Sequence, residues 1–451
     1  MKAPRLRIRA RLPLRWRARL RAQRRWWRER SGAGEPERLF PPAGKGMVTI
    51  QTLSGAHADG TSAPPHRGRP GPRIAVLHAS AGTGHQSAAR ALAAAIVQRS
   101  PDAVVREVDT LVFASRLYRG TYAASYNAMA ARAPALWGVL YHSWAQASVH
   151  RSTSPMRLAM DRLNLRRLVK VVEGEGADAV VCTHFLPVEA LSPRRGGGRM
   201  RVPLYCVITD FTAHPFWAFP HVDRYFVASG EVARELHGNG VPMERIEVTG
   251  IPVDPRFATA IGRDAARDRF GLDRDEPVVL VMGGGHGVGP LTALAAQLAA
   301  LPSAPRVIVA CGMNARLRAH IAALPAHESG RVRAIGFTHE VDAWLEASDV
   351  MVSKAGGLTC SEALIKRTPL VIFRPTPGQE VRNARYLEDA GAARHADTIE
   401  AVGATVERWL THPDEREAVR AAAAGIASPH AAEVIARHVL DGITLRHARR
   451  G

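Results

Sequence analysis

The chain has 451 residues, 46% of them apolar, and a formal net charge of +20. That length predicts two or three domains, and no run reaches the ~18–20 uninterrupted apolar residues that span a bilayer. The charge would suit a nucleic-acid binder if it were spread out, but residues 1–30 hold 13 Lys or Arg and one Glu, so +12 of it lies there. The basicity is a terminal feature and gives no sign of a specific nucleic-acid partner.

The N-terminal stretch "RLRIRARLPLRWRARLRAQRRWWRER" alternates Arg with Leu, Ile and Trp. It could lie as a helix on an anionic membrane, with Trp16, Trp26 and Trp27 at headgroup level. A basic tail without fixed structure, or sequence upstream of a start at Met47, fits the pattern as well. The stretch lacks the apolar core of a secretory signal. Residues 31–70, rich in Gly, Pro and Ser, read as linker.

An ordered domain begins near Pro72. Ile74–Leu77 is a buried strand, Ala79–Gly84 a loop of small residues and Ser87–Arg99 an alanine-rich helix. This is the usual opening of a doubly wound parallel sheet. His85 stands where the loop enters the helix, at the strand's carboxyl end, where such sheets bind ligands. A structural histidine capping a turn is the alternative. Further strands are expected at Val104–Val108, Ala179–Cys182, Leu204–Thr209 and Tyr225–Ala228, with helices between them.

Between the first two of these later strands lies an aromatic stripe. Tyr122, Trp137, Tyr141 and Trp144 recur at near-helical spacing, as a packed core or as a surface that meets lipid. In "VITDFTAHPFWAF", Asp210 and His214 would share a face if the segment were helical. A metal role is the lesser alternative there, because no third ligand is evident. Cys182, Cys206, Cys311 and Cys360 stand apart, as reduced cysteines of a cytosolic protein do.

"GIPVDPRF" divides two similar halves. The expected units are 1–70 as extension and linker, 71–255 as one domain and 256–451 as another. The second half restarts with a strand at Val278–Met282 and a loop containing Gly283, Gly284 and Gly285, which lets backbone amides approach an anion. After strands at Val307–Ala310 and Val350–Ser353, "SKAGGLTCSEAL" places Gly356, Gly357 and Thr359 before a helix holding Glu362. A diphosphate suits such a helix N-terminus. A carboxylate one turn in can accept from two vicinal ribose hydroxyls. Plain helix capping is the alternative. Gln379, Glu380 and Asn383 follow on a proline-fixed turn and suit sugar hydroxyls, or a solvated helix start.

"SAGTGHQSAARAL", "TDFTAHPFW", "GGGHGVGPL", "GFTHEVDAWLEASDVMVSKAGGLTCSEAL" and "PTPGQEVRNARYLEDAGAA" together resemble the monogalactosyldiacylglycerol synthase and processive diacylglycerol glycosyltransferase family. More distantly, they resemble the peptidoglycan glycosyltransferase that adds N-acetylglucosamine to lipid I. The resemblance covers about residues 73 to 430. It implies an α/β GT-B fold of two Rossmann-like domains with the site in the cleft, and an inverting transfer of hexose from a UDP-sugar to diacylglycerol. By motif position, His85 would be the base, with Asp210 second or orienting the acceptor. Gly283, Gly284, Gly285 and His286 would lie near the diphosphate and sugar. Phe337 and Thr338 would border the uracil. Gly356, Gly357, Leu358 and Thr359 would meet the phosphates, Glu362 the ribose, and Gln379 and Glu380 the sugar.

The resemblance also implies that Tyr122 through Trp144 lie near an anionic membrane, with the protein peripheral on its cytoplasmic face. UDP-sugar is a co-substrate, no cofactor is required, and no carboxylate pair for a metal is seen. One departure stands out: many relatives have Pro where this chain has Ala355, before Gly356-Gly357. A UDP-sugar transferase acting on another lipid, a UDP-N-acetylglucosamine 2-epimerase-like enzyme, and a polyanion-binding protein are the competing readings. Oligomeric state is not readable from the sequence.

Overall fold

The computed structural model describes residues 71–449 apart from 81, 116–117, 119–162 and 175. The basic extension and the stripe with Tyr122, Trp137, Tyr141 and Trp144 lie outside the described residues.

Two parallel six-stranded sheets form the frame. The first holds β1 (Arg73–His78), β2 (Val104–Asp109), β3 (Ala179–Cys182), β4 (Leu204–Val207), β5 (Arg224–Val227) and β6 (Ile246–Val248), in the order β2-β1-β3-β4-β5-β6. The second holds β7 (Val278–Met282), β8 (Arg306–Ala310), β9 (Val332–Ile335), β10 (Val350–Ser353), β11 (Leu370–Phe373) and β12 (Ala393–Ala396), in the order β12-β11-β10-β7-β8-β9. Short aliphatic runs such as Val278–Val281 form central strands because helices cover both faces, and these four residues are fully buried. The result is the α/β fold of two Rossmann-like domains that the sequence predicts.

In each sheet the chain order reverses beside one strand: between β1 and β3 in the first sheet, and between β7 and β10 in the second. The loops leaving the carboxyl ends of two such neighbours diverge and open a crevice. Those four loops carry His85, Thr183, the Gly283–Gly285 turn and Gly356-Gly357.

The division at 255/256 separates the two sheets, but the expected C-terminal unit of 256–451 is too long by its last helix. Ala431–Ala448 returns to the first domain. Its Ala432, Ile435, Ala436, Val439 and Ile443 are buried with Ile74, Val76, Leu92 and Phe226. His447 Nε2 lies 3.1 Å from Asp178 Oδ1. The stripe at i, i+3, i+4 predicts burial of that face, but not which sheet receives it. Outgoing and returning chain pass side by side at Gly250. Its φ is +89°, and a Cβ there would lie 2.1 Å from Ser428 Cβ.

The four cysteines are free and buried. Among the described residues, no helix is long and apolar enough to cross a membrane.

Candidate active site at the domain seam

The first crevice is built from side chains. His85 opens the helix Gly84–Arg99, and its Nδ1 lies 2.7 Å from the Thr183 carbonyl oxygen. A carbonyl only accepts, so Nδ1 carries the proton. Thr209 Oγ1 lies 2.9 Å from the same nitrogen. Thr183 Oγ1 in turn donates to the His85 carbonyl at 2.8 Å. With Nδ1 protonated, Nε2 of neutral His85 keeps its lone pair. Burial pushes the His85 pKa down to about 4, against the Thr183 hydrogen bond, and nearby His78 adds to the lowering. At neutral pH the ring is therefore an uncharged proton acceptor. His184, buried, sets its ring edge-on to His85 at 4.6 Å.

Asp210 follows Thr209 where the chain leaves β4. Burial raises its pKa to about 6; the Asn383 hydrogen bond and Lys354 pull it down, and Glu380 pushes it up. The expected sharing of a helical face by Asp210 and His214 does not occur. His214 precedes Pro215, which disfavours helical backbone there. The residue is extended, at φ −70° and ψ 147°, and its Nδ1 accepts from Phe216 N to cap a short 3₁₀ turn.

The second crevice is built largely from backbone. The helix Gly357–Ile365 has Gly356 as N-cap and no side-chain cap, so its first amides point outward unpaired. The loop after β7 closes on itself through Gly287 N to Gly284 O at 3.0 Å and Val288 N to Gly283 O at 3.0 Å. His286 stands exposed at the tip of this turn.

Lys354, at the end of β10, donates to Glu380 Oε1 at 2.6 Å. Glu380 Oε2 accepts from Thr376 N at 2.7 Å. Glu362 is half-buried. Its pKa is pushed up to about 8, first by burial; Arg256 opposes the rise, while Asp254 and Asp342 add to it. Phe337 is 47% exposed, and Thr338 Oγ1 accepts from Glu340 N at 3.0 Å.

The two crevices face each other. A Cβ on Gly357 would lie 2.0 Å from the Thr209 carbonyl oxygen, and one on Gly285 would lie 2.7 Å from Thr83 Cγ2. Leu358 Cδ2 would stand 3.7 Å from a Cβ on Gly84. His85 and Asp210 thus meet Gly285, Gly357 and Leu358 at one seam.

Asn383 departs from expectation. It is fully buried, and its amide is engaged with Asp210, Phe211 and Ala355, so in this arrangement it has no group free for a sugar hydroxyl. The sequence reading did not single out Thr183, His184 or Lys354. The signal was available: Thr183-His184 and Lys354 each directly follow a buried strand at its carboxyl end. Among the described residues, no group of three or more His, Cys, Asp or Glu is placed to hold a metal ion.

Two facing Rossmann-like domains with a polar seam define a GT-B glycosyltransferase-type fold. Acinetobacter baumannii MurG shares it with a TM-score of 0.52 at 15% identity, over 82% of this chain and 99% of that one. A UDP-N-acetylglucosamine 2-epimerase shares it at 0.53 and 15%, over 84% and 97%. At such identity the likeness speaks to fold alone.

Sequence narrows the class. Residues 85–253 match the monogalactosyldiacylglycerol (MGDG) synthase model, and residues 278–437 match the glycosyltransferase family 28 C-terminal domain. The two halves of the chain are thus similar, respectively, to the MGDG synthase family and to the C-terminal domain of glycosyltransferase family 28. A processive diacylglycerol beta-glucosyltransferase of Bacillus cereus is 29% identical over 326 residues, 71% of this chain and 81% of the relative. The enzymes of that name from Bacillus pumilus and Bacillus subtilis are each 31% identical over 245 residues. Those alignments take in 53% of this chain and only 63% and 64% of the relatives.

Proposed function

We propose that the chain is an inverting glycosyltransferase that moves a hexose from a UDP-sugar to diacylglycerol, making a glucosyl- or galactosyldiacylglycerol. The observation that carries this reading is His85: neutral, with its proton fixed on Nδ1 by the Thr183 carbonyl, and facing a seam whose other wall is glycine-rich backbone. A base that must take a hydroxyl proton needs a free lone pair at working pH.

In the proposed reaction the acceptor hydroxyl gives its proton to His85 Nε2 as its oxygen attacks the anomeric carbon. The bond from that carbon to the diphosphate oxygen breaks on the opposite face, and UDP leaves with the electron pair. Asp210 orients the acceptor or assists the base. Amides of Gly357, Leu358 and Thr359, with the turn at Gly283–His286 and the Lys354 ammonium, meet the charge on the departing diphosphate. These groups supply such stabilisation without a bound metal. Glu362 takes the ribose hydroxyls, Phe337 and Thr338 border the uracil, and Gln379 and Glu380 meet the sugar. Diacylglycerol is the acceptor in the names of the Bacillus relatives. The aromatic stripe and basic extension suit a peripheral site on the anionic cytoplasmic face of a membrane.

The test is a donor screen. Purified protein and diacylglycerol in anionic vesicles are offered UDP-glucose, UDP-galactose, UDP-glucuronate and UDP-N-acetylglucosamine, and products are followed by mass spectrometry. One hexose donor yielding a glycolipid is expected. UDP release without any glycolipid would reject diacylglycerol as acceptor.

A further inference from the structure

The helix Gln379–Asp389 begins with two residues assigned to the sugar, and side chains of its next turn reach across to the N-terminal domain. Arg382 pairs with Glu235 of the N-terminal domain, whose Oε2 accepts from Ala213 N at 2.7 Å. Tyr386 stacks on Phe211, ring centres 5.1 Å apart and planes 14° apart. Between them sits Asn383. Its Oδ1 accepts from Phe211 N at 2.9 Å. Its Nδ2 donates to Asp210 Oδ1 at 3.0 Å and to the Ala355 carbonyl at 3.0 Å. One amide therefore ties the loop bearing Asp210 to the loop that enters the phosphate-facing helix.

We propose that Asn383 is a positioning residue that acts through Asp210, holding the Asp210 carboxylate in the cleft from the facing domain. The inference rests on the transferase reading above and assigns Asn383 a role other than sugar recognition. The side chain suits the task chemically. It offers one acceptor and two donor hydrogens, and here they meet one amide and two oxygens. Aspartate has the same shape but would place a carboxylate against both the Asp210 carboxylate and the Ala355 carbonyl. Alanine would leave the Phe211 amide and Asp210 unpaired in a buried seam.

The sugar-reading role and the positioning role separate experimentally. A residue that reads the sugar adds affinity for UDP-sugar over UDP. A residue that places a catalytic carboxylate adds turnover, and a misplacement near 1 Å costs roughly 10- to 100-fold in rate. The experiment compares wild type with Asn383→Ala, Asn383→Asp and Asn383→Ser. It measures Kd for UDP and UDP-sugar by calorimetry, and kcat and KM for glycolipid formation. Asp210→Ala and the double variant with Asn383→Ala complete a cycle.

The expected result is a kcat lowered roughly 10- to 100-fold, with Asn383→Asp at least as impaired as Asn383→Ala and the UDP-sugar to UDP affinity ratio unchanged. In the double variant, loss of Asn383 should cost little beyond loss of Asp210. A fall in affinity confined to UDP-sugar would overturn the proposal and return Asn383 to the sugar. Costs in kcat that multiply independently in the double variant would also overturn it. The milder Asn383→Ser keeps the test open if Asn383→Ala fails to fold. Absence of glycolipid from wild type itself would instead sink the transferase reading.

Discussion

The two crevices differ in what they are made of. The N-terminal one presents side chains: His85 with its proton pinned by Thr183, Thr209 against the same nitrogen, and Asp210 beside it. The C-terminal one presents backbone, with glycines in the turn after β7 and an uncapped helix start at Gly357. Proton transfer needs a group of tuned basicity, which only a side chain supplies. Holding a diphosphate needs several dipoles at close range, which amides supply without reorganising. Neither wall completes the chemistry alone, so the account depends on their meeting.

The most damaging way to break that meeting is Gly357→Ala. The new methyl would lie 2.0 Å from the Thr209 carbonyl oxygen. Backbone cannot yield there as a side-chain tip would, so the walls must part. Turnover is expected to fall about 100-fold while UDP affinity changes far less; steady-state kinetics beside calorimetry reads both. Gly285→Ala meets only the Thr83 side chain and should cost less.

The donor wall is sharpened separately by Glu362→Ala. Above pH 8, where the carboxylate is ionised, loss of hydrogen bonds to a charged group, worth about 1.5–3 kcal/mol, should weaken UDP binding roughly 10- to 100-fold, with little effect on kcat at saturation. Because its pKa is held at about 8, the carboxyl is mostly protonated at pH 7 and ionises as pH rises through 8. UDP affinity of the wild type should therefore climb from pH 7, rise most steeply near pH 8 and level off about a unit above that pKa. A profile identical to that of Glu362→Gln would remove Glu362 from the ribose.

The smallest expected effect concerns the rim. Arg382 and Glu235 pair across the seam while partly exposed, and exposed pairs are worth about 0.2–1 kcal/mol. Arg382→Glu should slow transfer only a few-fold, and adding Glu235→Arg should recover most of the loss. No recovery would mean that the pair does not help to align the walls.

Much of this frame was legible in the sequence, because buried parallel strands are continuous apolar runs. Ala179–Cys182, Val278–Met282 and Val350–Ser353 match their expected bounds to the residue. His85 and the glycine turns were legible because a switch-point crevice forms after such strands. Long-range partnership was not legible. The stripe of Ala431–Ala448 fits either sheet, and packing chose the first. Asn383 looks like any amide in a first helical turn until the facing domain supplies Phe211 and Asp210. The Asp210 and His214 spacing misled because Pro215, the residue immediately after the pair, fixes His214 as extended.

The most direct measurement compares wild type and His85→Ala, each saturated with UDP-sugar, for hexose transfer to diacylglycerol in anionic vesicles and for UDP-sugar affinity. Equal affinity and a transfer rate lowered about 10²- to 10⁴-fold are expected. With a pKa of about 4, His85 should itself impose no loss of wild-type rate until pH falls towards 4, where protonation removes the base. An unchanged transfer rate in His85→Ala would contradict the account, because no base would then be needed at that nitrogen.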